Sequence, residues 1–109
     1  MIKSSFYTMV LKNGKKQAEL VVDGYSDGSY YYYKKDSGFW CVIHPLCGLS
    51  IANGNTRKEA RENAYSKRIQ DSLDNMYKNN TAYYKRIGAE FDAAVLELKR
   101  KNREAAGND

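Results

Sequence analysis

Short runs rich in β-branched and aromatic residues fill the first half of this chain, and apolar residues at helical spacing fill the second half. The β-type runs predict five strands, at residues 5–11, 17–22, 29–35, 38–44 and 48–52. Turn residues separate these runs, above all Lys12-Asn13-Gly14-Lys15, whose Asn-Gly pair is the strongest short signal for a hairpin. Short connections between the strands favour an antiparallel meander.

The second half of the chain predicts two helices. The first has no glycine between Arg57 and Lys78 and carries an apolar band of Ala60, Ala64, Ile69, Leu73 and Met76. Thr56, with Glu59 three residues later, matches a capping box at the start of this helix. Asn79-Asn80-Thr81 forms a break, after which a helix of about 24 residues would span about 36 Å. We therefore predict one α+β domain over residues 1–104, an antiparallel β-meander of four to five strands followed by two α-helices, with a disordered tail at residues 105–109.

Two of the predicted strands are apolar on both faces. Along one strand, Trp40 and Val42 point opposite to Phe39, Cys41 and Ile43, and the strand before it contains four consecutive tyrosines. A half-buried strand normally alternates apolar with polar residues. Either the helices cover one face and a partner or second subunit covers the other, or the tyrosines stand at a wet surface.

The second helix carries a stripe of Tyr84, Phe91 and Leu98 at seven-residue spacing. Such a stripe fits a homodimer formed through this helix. It fits packing against the chain's own sheet as well, because two heptads fall short of the three or four that argue for a coiled coil. Both interpretations stay open.

The charge of the chain is moderately positive. Its 109 residues include 18 Lys and Arg against 13 Asp and Glu, which gives a net charge of +5 and a pI near 9.2. This balance admits an anionic partner such as nucleic acid without requiring one, since acidic residues interrupt each basic cluster. No apolar run approaches the roughly 18 residues of a membrane span, and the first residues lack the apolar core of a signal peptide. We therefore expect a cytoplasmic protein with reduced thiols.

The residues that carry chemistry do not assemble into a recognisable catalytic or metal site. His44 is the only histidine, and Cys41 and Cys47 lie near it in sequence, but zinc requires three or four protein ligands. A Cys–His dyad would also need an orienting third group. No phosphate-binding glycine motif is present. We predict a protein that is not an enzyme and that uses neither a metal nor a cofactor.

The stretch over residues 29–70 resembles the core of HicB-type antitoxins. The residues that carry the resemblance are Gly38, Phe39, Trp40, Val42, Pro45, Gly48, Gly54, Thr56, Glu59, Ala60, Asn63 and Ala64. The sequence departs from that pattern at Leu46, where the family often has an acidic residue, and at Asn55, where Asp is usual. A long helix also replaces the strand that follows in the family. The resemblance implies a non-catalytic module that docks on, and blocks, a protein acting on nucleic acid.

In general make-up, the chain is also similar to small inhibitors encoded by phages and mobile elements, including anti-CRISPR proteins. These inhibitors share no diagnostic motif, so the likeness rests on a Lys-, Asn- and Tyr-rich composition without catalytic residues. Both resemblances imply the same act, which is stoichiometric inhibition of a nuclease or ribonucleoprotein defence complex. A HicB-like antitoxin and a small basic nucleic-acid-binding regulator are the alternatives.

The predicted partner-binding residues are Tyr31, Tyr33, Trp40, Lys99, Arg100, Lys101 and Arg103. Aromatic and arginine side chains dominate the energetics of protein interfaces, which is why these residues are candidates.

Overall fold

The five strands pair in chain order as one antiparallel meander, as the sequence predicts. The computed structural model describes residues 1–107. Its strands are β1 (Ile2–Lys12), β2 (Lys15–Ser26), β3 (Tyr31–Lys34), β4 (Trp40–Ile43) and β5 (Ser50–Gly54), in the order β1-β2-β3-β4-β5. At the hairpin between β1 and β2, Asn13 and Gly14 have φ of 52° and 77°. Positive φ at both central residues is the signature of the type I′ turn that the Asn-Gly pair predicts.

Three helices follow the sheet, where the sequence predicted two. They are α1 (Arg57–Ala64), α2 (Lys67–Asn79) and α3 (Thr81–Gly107). The predicted first helix is broken because Ser66 caps a new helix, with the Ile69 N–H donating to its Oγ at 3.4 Å. The Gln70 side chain then donates to the Ala64 carbonyl at 2.8 Å, which satisfies one of the open acceptors at the end of α1.

The predicted start of the first helix agrees with the structure, whereas the predicted end of the last helix does not. The Glu59 N–H donates to Thr56 Oγ1 at 3.1 Å, so Thr56 caps α1 as expected. Residues 105–107, which the sequence placed in a disordered tail, are helical because α3 continues to Gly107. Asn108 and Asp109, the rest of that tail, lie outside the described residues. None of the helices within residues 1–107 is long and apolar enough to cross a membrane.

A β-bulge bends the first hairpin out of the plane of the other strands. Ser4 pairs with Gly24 and Phe6 pairs with Val21, so β2 carries one residue more than β1 between these two pairs. Beyond the bulge β2 no longer pairs with β3, and the β2–β3 ladder is limited to two residue pairs near Tyr25. The hairpin instead covers one face of β3, where the Phe6 ring stacks on Tyr31 with centroids 4.7 Å apart.

The central strands β3 and β4 are consequently covered on both faces by the chain itself. On one face α1 packs against the sheet, and the core consists of Tyr32, Val42, Ala60 and Ala64. On the other face the hairpin supplies Phe6, which packs with Cys41 and Ile43. The strands that are apolar on both faces thus serve two small cores. Neither a partner nor a wet tyrosine surface is needed to explain them.

The helix α3 packs along the same hairpin, on the side away from that second core. Ile87 and Phe91 are the two buried residues of α3, and Phe91 is only 7% exposed. The Phe91 ring lies against Gly48. The Gly48 carbonyl in turn accepts hydrogen bonds from the Met9 N–H at 2.8 Å and from Thr8 Oγ1 at 2.9 Å. The apolar stripe of α3 is therefore covered by the chain itself at least at Ile87 and Phe91.

Candidate interaction site

The aromatic residues predicted to bind a partner lie on opposite faces of the sheet. Tyr31 and Tyr33 are half-buried around Phe6, with Tyr33 in an edge-on contact at a centroid distance of 5.9 Å. Trp40 lies on the α1 side, 6.0 Å from the Tyr25 ring. The Arg57 guanidinium sits over that pair, 4.4 Å from the Tyr25 centroid and 5.8 Å from the Trp40 centroid. The three residues do not form one contact surface, because the sheet separates them.

The predicted basic residues lie on the last turns of α3, in different electrostatic settings. The Lys99 ammonium lies 5.4 Å from the centroid of the Tyr7 ring on β1. Arg100 is held by ion pairs with Glu97 and Glu104 on its own helix. Lys101 and Arg103 are exposed and form no ion pair with the residues that the structure describes.

The structure brings part of this basic segment to the tip of the first hairpin, a juxtaposition that the sequence analysis did not predict. A groove of about 290 Å³ opens between the hairpin and α3. Its lining consists of Lys15, Lys16, Gln17 and Ala18 from the hairpin and Ala94, Glu97, Leu98 and Lys101 from α3. Ala18 is buried, whereas Ala94 and Leu98 are half-buried, so these three residues form an apolar floor. The exposed lysines form the rim. We call this feature the basic groove.

The charge of the basic groove is positive in spite of Glu97. The Arg100 side chain donates to Glu97, and this hydrogen bond, aided by the charges of Arg100 and Lys101, lowers the pKa of Glu97. The negative charge of Glu97 is thereby largely neutralised by Arg100. Lys16 has a long contact of 3.9 Å with Glu90, while Lys15 and Lys101 form no ion pair within residues 1–107. An anionic group can therefore approach Lys15 and Lys101 without displacing an internal partner.

A second polar cluster, centred on the carboxylate of Asp27, is saturated with internal hydrogen bonds. The carboxylate accepts from the backbone N–H groups of Ser29 and Tyr30 at 2.9 and 2.8 Å. It also accepts from the hydroxyls of Tyr32 and Tyr65, at 2.6 and 2.8 Å, and from Arg61 Nε at 3.4 Å. Burial by itself would raise the pKa of Asp27, but these hydrogen bonds outweigh it and lower the pKa far below its ordinary value. The cluster clamps the β2–β3 connection to α1.

His44 and Cys47 are both kept neutral by burial. Desolvation lowers the pKa of His44 and raises the pKa of the Cys47 thiol. A nucleophilic Cys–His pair requires the opposite shifts, towards thiolate and imidazolium. The His44 ring is instead wedged between Tyr30 and Tyr84, each with its centroid 6.0 Å away. Cys41 and Cys47 are free buried thiols, and residues 1–107 hold no cluster of three possible metal ligands.

Comparisons with protein-family models, with curated proteins and with solved structures find no match to this chain.

Proposed function

We propose that this protein is a small non-catalytic inhibitor that binds and blocks a nucleic-acid-acting protein or ribonucleoprotein defence complex, in the manner of anti-CRISPR proteins. The observation that carries the proposal is the basic groove, because two segments far apart in the sequence meet there around an apolar floor. An apolar centre with a polar rim is the usual anatomy of a protein interface. The saturated Asp27 and the neutral His44 and Cys47 favour binding over catalysis.

A HicB-like antitoxin would perform the same act on a ribonuclease toxin. The junction that carries part of this resemblance is built for close packing, because a Cβ placed on Gly54 would come within 2.5 Å of the Ala60 nitrogen on α1. Such packing supports a similar strand-to-helix corner. It adds no information about the partner.

Direct binding of nucleic acid is the second candidate function. It is favoured by the net charge of +5 and by Lys15 and Lys101 of the basic groove, which form no ion pair within residues 1–107. This alternative predicts an affinity whose logarithm falls by about 0.9 per neutralised phosphate for each tenfold increase in salt. Titration of labelled duplex and single-stranded DNA at two salt concentrations tests it. An absence of binding below about 100 μM at low salt would remove this alternative.

The inhibitor proposal is tested with phage plating on cells that carry a defined nuclease defence system. The groove variant combines Lys15→Glu with Lys101→Glu. The control variant combines Lys58→Glu with Lys78→Glu, two exposed lysines on α1 and α2 that receive the same change in charge. We expect the wild type and the control to restore plating, and the groove variant to reduce that effect roughly tenfold or more, because interface charge reversals act on association.

A pull-down with the wild-type protein, read by mass spectrometry, identifies the partner in the same cells. Recovery of a nuclease or ribonucleoprotein component in stoichiometric amount supports the proposal. No restored plating in any tested system, together with no nucleic-acid-acting protein in the pull-down, would contradict it.

A further inference from the structure

The basic groove is small and its floor is aliphatic. Its volume of about 290 Å³ lies at the lower end of the roughly 300–1,000 Å³ typical of ligand pockets. Ala18 and Ala94 contribute only methyl groups to the floor, so the space above them is shallow but open. A groove of this size and lining accommodates one aliphatic side chain with its flanking backbone.

The floor is held by elements that are themselves fixed in the core. Ala18 is buried on β2, and the face of α3 that carries Ala94 is anchored three residues earlier by the buried Phe91 against Gly48. A preformed site loses less conformational entropy when it binds. The groove is therefore a preformed binding site for a side chain.

The rim selects for negative charge, and its chemistry suits carboxylates. Lys15, Lys16 and Lys101 present compact ammonium charges that accept an anion from several directions. A forked guanidinium, which favours bidentate phosphate binding, is not offered by Arg100, because Glu97 and Glu104 already occupy it.

The lining also distinguishes a peptide from a nucleic acid strand. Single-stranded nucleic acids are held by aromatic rings on which the bases stack. No aromatic residue within residues 1–107 lines the groove, and the ring of Tyr7 on the neighbouring strand is covered by Lys99. A sugar–phosphate backbone would leave the aliphatic floor unfilled, whereas a leucine-type side chain would fill it.

We infer that the basic groove binds an extended acidic segment of the partner protein, with one aliphatic side chain seated on Ala18, Ala94 and Leu98. The carboxylates on either side of that anchor contact Lys15, Lys16 and Lys101. This inference rests on the proposed function, because it specifies the chemistry of the surface that the inhibitor recognises.

The test is a titration of the ¹⁵N-labelled full-length protein, followed by backbone amide shifts. The probe is a blocked synthetic peptide with three acidic residues on each side of one leucine. We expect it to shift the amides of Gln17, Ala18, Ala94 and Leu98 at concentrations up to about 1 mM, the range of weak single-motif binding. Replacing the leucine by glycine weakens binding several-fold, and replacing all acidic residues by their amides abolishes it.

Variants of the protein test whether the peptide binds at the basic groove. The pair Lys15→Glu and Lys101→Glu should abolish the shifts, the milder pair Lys15→Gln and Lys101→Gln should weaken binding several-fold, and the control pair Lys58→Glu and Lys78→Glu should leave it unchanged. The inference is overturned if the acidic peptide shifts none of these amides at about 1 mM. It is also overturned if the neutral peptide binds equally well, or if a ten-nucleotide thymidine strand shifts the same amides in preference to the acidic peptide.

The outcomes of the two experiments are separable. Restored phage plating without peptide binding would leave the inhibitor proposal standing and refute the acidic-segment inference. Peptide binding with neither restored plating nor a nucleic-acid-acting protein in the pull-down would refute the proposed targets while the groove specificity stands.

Discussion

At the scale of single residues, close approach of the backbone decides which glycines are essential. A Cβ on Gly54 would lie 2.5 Å from the backbone nitrogen of Ala60 and 2.9 Å from its Cα. A Cβ on Gly88, inside α3, would meet only the Leu46 carbonyl oxygen at an ordinary 3.5 Å. Within the chain, Gly88 is therefore not a point of close backbone approach.

The same substitution at these two positions should therefore have opposite effects. Gly88→Ala should stabilise the fold by about 1 kcal/mol, because alanine is the better helix former and has room. Gly54→Ala should destabilise it by about 2 kcal/mol or more, since α1 must move away from β5. Urea denaturation of the two variants measures both effects. A destabilised Gly88→Ala variant would indicate that another backbone packs closely against α3 at this position.

Titration of buried groups should make the fold acid-sensitive in two steps. Burial lowers the pKa of His44 from 6.5, so the unfolded chain binds its proton first and stability decreases as the pH falls below about 6.5. The pKa of Asp27 is lowered from 3.8, so the stability that its carboxylate contributes is complete above that value and is lost as the pH falls further. Melting temperatures between pH 8 and pH 2 measure both steps.

Two single variants identify which group causes each step of the pH dependence. His44→Gln should remove the step that begins below pH 6.5 and leave the lower one. Asp27→Asn should lower stability at pH 7 by about 2 kcal/mol, because a buried hydrogen-bond cluster loses its charged acceptor. The difference between Asp27→Asn and the wild type should shrink below pH 4. A constant difference across the whole range would show that the Asp27 charge plays no part.

At the scale of elements, the apolar residues of α2 and α3 differ in how deeply they are buried. Phe91 of α3 is buried against Gly48, whereas Ile69 of α2 is half-buried and α2 has no buried residue at all. The helix α2 is fastened instead by its cap at Ser66 and by Gln70, whose side chain also donates to the Tyr30 hydroxyl at 3.1 Å.

Charge substitutions in the two helices should therefore differ strongly. Phe91→Asp should cost about 4 kcal/mol or more and unfold the protein at room temperature, because it combines a cavity with a buried charge. Ile69→Asp should cost only about 1 kcal/mol, since its carboxylate reaches water. Circular dichroism melts compare the two. Equal and severe destabilisation would mean that α2 is more deeply packed than the structure shows.

Local signals in the sequence predicted the elements that are defined locally. The Asn13-Gly14 turn, the Thr56 cap and the chain-order pairing of the strands follow from short-range chemistry, and all are present. The fold of the hairpin over the second face was not predicted, because it depends on the bulge between Gly24 and Val21 and on the distant contact of Phe6 with Tyr31. Neither the bulge nor this contact can be recognised from a short stretch of sequence.

The candidate site was predictable to the same limited extent. Lys101 was identified as a basic residue on a helix end, but Lys15, Lys16 and Ala18 were missed, because α3 alone brings these two parts of the chain together. Trp40 pairs in register with Lys34, next to the pair of Tyr33 with Cys41, and this register puts Trp40 and Tyr33 on opposite faces. The strand register therefore places the three aromatic candidates on two surfaces.

At the scale of the whole molecule, the long α3 gives an elongated shape with dimensions of 50 × 33 × 27 Å. Residues 102–107 of this helix are exposed. Because Ile87 and Phe91 are already buried within the chain, little of the α3 stripe is left for a second copy. We expect a monomer of 12.5 kDa by light scattering at micromolar concentrations. Twice that mass at every concentration would restore the homodimer through α3.

The central claim is that this molecule acts by binding a partner through the basic groove. Calorimetric titration of the partner recovered in the pull-down tests it most directly, with the wild type, the groove variant and the control variant compared side by side. The account predicts saturable one-to-one binding that Lys15→Glu with Lys101→Glu weakens roughly tenfold or more and that Lys58→Glu with Lys78→Glu leaves unchanged. Equal affinity of the wild type and the groove variant would contradict it.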